Sequence, residues 1–319
     1  MTGTDIPRTI LGEILLDTVL KAFRLMERRT VLILMVGFCL FHSGKTFSYE
    51  GLSLKTYPVV LGNIAKTPHL LKDSPFPKIT AQSVLVADLN TTRILHEKDS
   101  SQVLAPASTT KLMTALVSLD LYSLTESIPA PRECLKIEGN RLELSPKEAL
   151  TTKDLLHALL ISSSNDAACI LANSTVPEEE FVKLMNFKAT QLGLLDTKFT
   201  NPIGFDSYDF THKSTAKDLY KLALYSRSNP VIKEIYSKST YTLYSGNYPR
   251  TIYSTNPLLI QLEGSVGMKT GTTTQAGEVF IYEFSDDTKD LLIILMGSKS
   301  RFSETREILQ WIEKSFSWY

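Results

Sequence analysis

Three short motifs stand in one order along the 319-residue chain: Ser108-Thr109-Thr110-Lys111, Ser163-Ser164-Asn165 and Lys269-Thr270-Gly271. Ser108 and Ser163 are 55 residues apart, and Ser163 and Lys269 are 106 apart. A serine hydroxyl needs a base to become a nucleophile, and lysine serves when burial or a neighbouring cation lowers its pKa. Three residues apart on a helix, Ser108 and Lys111 share a face. Pro106 marks the entry to that helix, so Ser108 is expected in the first turn, where free N–H groups and the positive end of the dipole point outward. Lys269 is a candidate for the second cation. Read as the start of a strand, its motif puts Lys269 and Gly271 on one face and Thr270 on the other, and the glycine lets a substrate backbone come close. Ser163 and Asn165 offer a hydroxyl and an amide between two helices, which suits proton relay and substrate hydrogen bonding. The chemistry of this set is acyl transfer.

Two of the motifs have copies elsewhere. Ser214-Thr215-Ala216-Lys217 repeats the first spacing, but Thr215 with Asp218 forms a capping box ahead of Leu219, Leu222 and Ala223, which explains it structurally. Ser245-Gly246-Asn247 repeats the second, between tyrosine-rich segments, and reads as a hairpin turn. The lysine motif occurs once, where average composition predicts well under one copy.

A formal net charge of zero gives nucleic-acid binding no electrostatic footprint. The five histidines (His42, His69, His96, His157, His212) include no pair at helical ligand spacing. No metal and no cofactor is expected, and each histidine reads as a surface or capping residue. Cys134 and Cys169 can pair if the chain is exported. Two cysteines make no framework, however, and buried free cysteine is the commoner state, so they are expected unpaired.

The apolar run from Val31 to Phe41 follows Glu27-Arg28-Arg29 and has the length of a signal-peptide core rather than a bilayer span. Residues 1–29 therefore read as a leader, with Met26 the expected start, and 30–48 as a signal peptide or membrane anchor. Ile10, Leu11, Ile14, Leu15, Val19, Leu20 and Phe23 recur at helical spacing within the leader. Residues 49–80, broken by Gly51, Pro58, Gly62, Pro68, Pro75 and Pro77, read as a linker, and 81–317 as the catalytic domain.

Inside that domain, Ser83–Asp88 and Arg93–His96 are expected to form a hairpin across residues 89–92. Helices follow over 108–121, 152–161, 165–173, 178–192 and 216–227. Strands are expected at 240–244, 248–253, 278–284 and 291–296, and a closing helix at 304–316. Strands at both ends with helices between imply an α+β fold, an antiparallel sheet flanked by a helical region.

With all three motifs in order, the chain resembles the serine D-Ala-D-Ala carboxypeptidases, the low-molecular-mass penicillin-binding proteins of peptidase S11 type. The segment Ala105 to Ala115 is similar to the family's nucleophile segment nearly residue for residue. Ser164-Asn165-Asp166-Ala167-Ala168, Asn201-Pro202-Ile203-Gly204-Phe205-Asp206 and Ala276-Gly277 also correspond, although Ser164 stands where glycine is usual. The resemblance implies the penicillin-binding protein and class A β-lactamase-like fold and an exported, extracytoplasmic domain. It implies that Ser108 attacks a stem peptide of peptidoglycan ending in D-Ala-D-Ala, with Lys111 as base and Ser163 as proton relay. Asn165 would orient the substrate amide, Lys269 and Thr270 would hold the terminal carboxylate, and the N–H groups of Ser108 and Thr272 would form the oxyanion hole. β-Lactams would acylate Ser108. A D,D-endopeptidase uses the same machinery, and a non-catalytic wall-binding protein is the alternative of another class. Class A β-lactamases share the motifs but need a glutamate on the loop after the second one. Residues 192 to 209 contain none, so slow β-lactam turnover is expected.

Overall fold

The six consecutive apolar residues Leu291–Met296 announce a strand covered on both faces. In the computed structural model, which describes residues 66–319 except 147, 246 and 247, that strand lies at the centre of the sheet. The expected leader, signal segment and first part of the linker lie outside the described residues.

The chain enters on a three-residue strand β1 (Pro68–Leu70), followed by β2 (Ser83–Asp88) and β3 (Ile94–Lys98). A 3₁₀ turn (Ala107–Thr110) runs straight into α1 (Lys111–Leu121). Next come β4 (Ser127–Pro129), a 3₁₀ turn (Arg132–Lys136), β5 (Ala149–Thr151), α2 (Thr152–Ile161), α3 (Asn165–Asn173) and α4 (Glu178–Gln191). Then α5 (Ala216–Ser228) and α6 (Pro230–Tyr236) precede the hairpin β6 (Thr240–Ser245) and β7 (Tyr248–Tyr253). The last part comprises α7 (Leu258–Gln261), β8 (Ser265–Thr273), β9 (Gly277–Ser285), β10 (Asp290–Ser298), α8 (Arg301–Ser315) and β11 (Phe316–Trp318).

Five strands form one antiparallel sheet in the order β3-β2-β10-β9-β8, which leaves β8 as an edge. Side chains alternate between two cores, as the pleat requires. Leu292, Ile294 and Met296 join Leu85, Ala87, Val279 and Ile281 on the face covered by the helical region. Leu291, Ile293 and Leu295 join Val84, Val86, Phe280 and Tyr282 on the face covered by α8 through Ile308, Trp311 and Ile312. The α+β expectation holds, and each long expected element is present within a few residues.

Three expectations are corrected. Residues 66–80 are part of the domain, not a connector: β1 pairs antiparallel with β11, Phe76 stacks on His96, and Trp311 donates to the Ser74 carbonyl. Cys134 and Cys169 form a disulfide, because the turn at 132–136 packs against α3 and brings their Cα atoms to 5.5 Å. His157 and His212 are buried rather than surface groups.

The copy of the first motif behaves as structure. Thr215 caps α5 by accepting the Asp218 N–H at 3.1 Å. Ser245 and Tyr248 pair across β6 and β7, the turn between them lying outside the described residues.

Candidate active site

Ser108 is not in an α-helical turn. It lies in the 3₁₀ turn that leads into α1, and the Lys111 N–H closes it on the Ser108 carbonyl. In 3₁₀ geometry residues i and i+3 eclipse, so Lys111 Nζ stands 2.9 Å from Ser108 Oγ. Ala107 ahead of it has φ +49° and Ser163 has φ +58°, left-handed conformations that strain a side-chain-bearing residue. Two glycines make room for this turn. A Cβ on Gly204, itself at φ +92°, would come within 2.0 Å of the Ala107 carbonyl oxygen, and one on Gly271 within 2.8 Å of the Ser108 nitrogen. Gly271 is therefore required where the Ser108 turn meets β8.

Lys111 is wholly buried, and Nζ has two further partners, Asn165 Oδ1 and the Ile203 carbonyl, each at 2.8 Å. Asn165 is oriented by donating Nδ2–H to the Glu138 carbonyl at 2.6 Å, which turns its oxygen toward the lysine. Burial, and then the charge of Lys269, hold the Lys111 pKa well below the usual lysine range. A neutral amine has two N–H donors and one lone pair. Two obligate acceptors take the donors, so the lone pair is left for the Ser108 hydroxyl.

Across the cleft, Lys269 lies in the middle of β8, which begins at Ser265 rather than at the motif. Its Nζ donates to Ser163 Oγ and to the Thr270 carbonyl, each at 2.8 Å. Burial, and then the Arg301 charge, depress its pKa to about 7. Ser163 occupies the junction between α2 and α3, and Ser164 Oγ donates to Asp166.

The structure brings the eight expected residues together. Ser108, Ser163, Asn165, Thr270, Gly271 and Thr272 line a cleft of about 330 Å³, with Lys111 and Lys269 buried beneath. Sequence reasoning missed Asn140, Thr255 and Arg301 on its walls. Arg301 Nη1 donates to the Gly271 carbonyl at 2.7 Å and Thr272 Oγ1 at 2.6 Å. It comes from the first residue of α8, and no motif in the sequence marks it. Among the described residues no cluster of three or more His, Cys, Asp or Glu side chains is placed to hold a metal.

A serine hydroxyl against a buried lysine, beside the edge strand of an α+β sheet, defines a serine acyl-transfer enzyme. The chain belongs to peptidase family S11: the family model, described as D-alanyl-D-alanine carboxypeptidase, matches residues 70–300. It is 31% identical over 243 residues to the D-alanyl-D-alanine carboxypeptidase DacB2 of Mycobacterium tuberculosis, covering 74% of this chain and 84% of that one. It is also 31% identical over 252 residues to a D-alanyl-D-alanine endopeptidase of Escherichia coli, covering 74% and 78%. Penicillin-binding protein D2 of Listeria monocytogenes, solved in its ampicillin-bound form, shares the fold with TM-score 0.66 and 29% identity over 74% of this chain and 98% of that one.

Proposed function

We propose that the chain is a serine D,D-carboxypeptidase that removes the terminal D-alanine from peptidoglycan stem peptides. The observation that carries this reading is the three-way environment of Lys111 Nζ, which aims an amine lone pair at Ser108 Oγ. Ser108 attacks the carbonyl of the penultimate D-alanine while Lys111 takes its proton. The N–H groups of Ser108 and Thr272 receive the oxyanion. Lys269 and Thr270 hold the terminal carboxylate, and Asn165 orients the substrate amide. Ser163, hydrogen-bonded to Lys269, relays the proton taken up by Lys111 to the amine of the departing D-alanine, which leaves Lys111 neutral again. Water then releases the ester on Ser108, with Lys111 again as base. β-Lactams acylate the same serine.

The domain acts outside the cytoplasm on this reading, with residues 30–48 as export signal or anchor. Among the described residues no helix is long and apolar enough to cross a membrane. A fluorescent penicillin should label the wild type and not Ser108→Ala. Absence of Ser108-dependent label sinks the proposal and favours a wall-binding protein.

A second reading, D,D-endopeptidase, is favoured by equal identity to an endopeptidase and to a carboxypeptidase. Mass spectrometry of products from a pentapeptide and from a cross-linked muropeptide separates the two. Free D-alanine from the pentapeptide supports the first; cleavage of the cross-link alone supports the second.

A further inference from the structure

We propose that His212 is a positioning residue of the reaction, a neutral imidazole that braces the nucleophile turn against the loop whose carbonyl orients Lys111. This rests on the function proposed above, in which Lys111 is the base.

His212 lies 102 residues beyond Thr110, yet its Nε2 is 2.8 Å from Thr110 Oγ1, and both residues are buried. Thr110 stands between Ser108 and Lys111 in the chain, so a shift there moves nucleophile and base together. On the other side of the ring, Nδ1 lies 3.0 Å from the Thr200 backbone nitrogen and 3.2 Å from Thr200 Oγ1. A backbone N–H only donates. Nδ1 must therefore present its lone pair, the ring proton sits on Nε2, and Nε2–H donates to Thr110. Burial, partly offset by the nearby Asp206 carboxylate, depresses the His212 pKa to about 4, which keeps this tautomer uncharged at neutral pH.

Thr200 opens the turn that reaches Lys111. Asn201 Oδ1 accepts the N–H groups of Ile203, Gly204 and Phe205 at 3.1, 2.7 and 3.0 Å, and the turn so fixed delivers the Ile203 carbonyl to Lys111 Nζ. The next residue, Gly204, packs on the Ala107 carbonyl. The imidazole thus spans the two segments whose separation sets the direction of the Lys111 lone pair. The backbone beside His212 has its own anchors: Lys213 bridges Lys198, Ser214 bridges Leu104, and the His212 N–H donates to Ser207 Oγ. Those anchors hold the segment without the ring, so the polar atoms of the ring serve alignment rather than attachment.

The test uses His212→Phe, which fills the ring space without either polar atom, and Thr110→Val, which removes the acceptor at constant shape. His212→Gln and His212→Asn restore single polar groups. For each, melting temperature, the acylation rate constant with benzylpenicillin, and kcat and KM for D-alanine release from a pentapeptide are measured well below the melting midpoint. His212→Phe and Thr110→Val should each slow acylation and kcat about 10–100-fold, as small misplacements of reacting groups do. KM should stay within about two-fold, and the polar variants should regain part of the rate. The double variant should be no slower than the worse single, because both remove one contact. Normal acylation in folded His212→Phe or Thr110→Val, or additive losses in the double variant, overturns the proposal. If His212→Phe does not fold, Thr110→Val against His212→Gln decides on the same terms. A wild type that is never acylated at Ser108 overturns the underlying function instead, and this inference with it.

Discussion

Lys269 Nζ lies 2.8 Å from Ser163 Oγ, a contact between residues 106 apart in the chain. It joins the second motif to the third, as the contact of Lys111 with Asn165 joins the first to the second. Two buried lysines thus meet at one cleft: burial and then the Lys269 charge hold Lys111 well below the usual lysine range, and burial and then the Arg301 charge depress Lys269.

The pH profile follows from that arrangement. On the proposed function, Lys111 must be neutral to accept a proton, and Lys269 must be charged to hold a carboxylate. kcat/KM should therefore rise with pH as Lys111 deprotonates and fall above about 7 as Lys269 loses its proton. Arg301→Gln removes a charge that lowers the Lys269 pKa, so the alkaline limb should move to higher pH. An alkaline limb unchanged in Arg301→Gln rejects this assignment.

Stability carries the same signature with a defined sign. Both lysines have folded pKa values below the ordinary 10.5, so the unfolded chain binds more protons between about 7 and 10.5. Unfolding free energy from this source should increase as pH rises through that window. Urea midpoints at pH 7 and 9 measure it, and Lys269→Met should reduce the difference, leaving the share that comes from burial of Lys111.

The disulfide bears on the site as well as on the fold. Cys134 lies four residues before Glu138, whose carbonyl holds the Asn165 amide, and Cys169 lies one helical turn after Asn165. Cys134→Ala with Cys169→Ala should cost about 2–4 kcal/mol of stability and raise KM more than it lowers kcat. An unfolding midpoint unmoved by the double substitution contradicts the first part, and an unchanged KM the second.

Gly204→Ala tests the nucleophile turn. The added Cβ meets the Ala107 carbonyl oxygen in a left-handed conformation, so strain of about 1–3 kcal/mol is expected. Benzylpenicillin acylation should slow about 10²-fold. Stopped-flow acylation measures it, and a wild-type rate shows that the turn adjusts freely.

What was legible in the sequence was what is local or ordered along it. Apolar runs such as Leu291–Met296, the cap at Thr215, and the order of the three motifs all reported correctly. β1 and β11 were not legible, because three residues at each end carry no period and form a ladder only with each other. The cysteine pair depended on where a 3₁₀ turn packs, which spacing does not encode. His212 and Arg301 were passed over for one reason. Each is a single residue whose partners lie 102 and 30 positions away, and only folding makes them neighbours.

Pairing of the first and last strands has a mechanical consequence. Thr67 N–H donates to the Tyr319 carbonyl, and Trp318 reaches Asp88 at the end of β2. The register runs from Asp88 through Leu291 and Phe284 to Ser265 on β8, short of Lys269. By strand spacing and rise, the clasp of β1 with β11 lies roughly 20 Å from Lys269. A force applied through Thr67 or Tyr319 therefore loads this clasp and the far side of the sheet before it reaches the strand that carries Lys269.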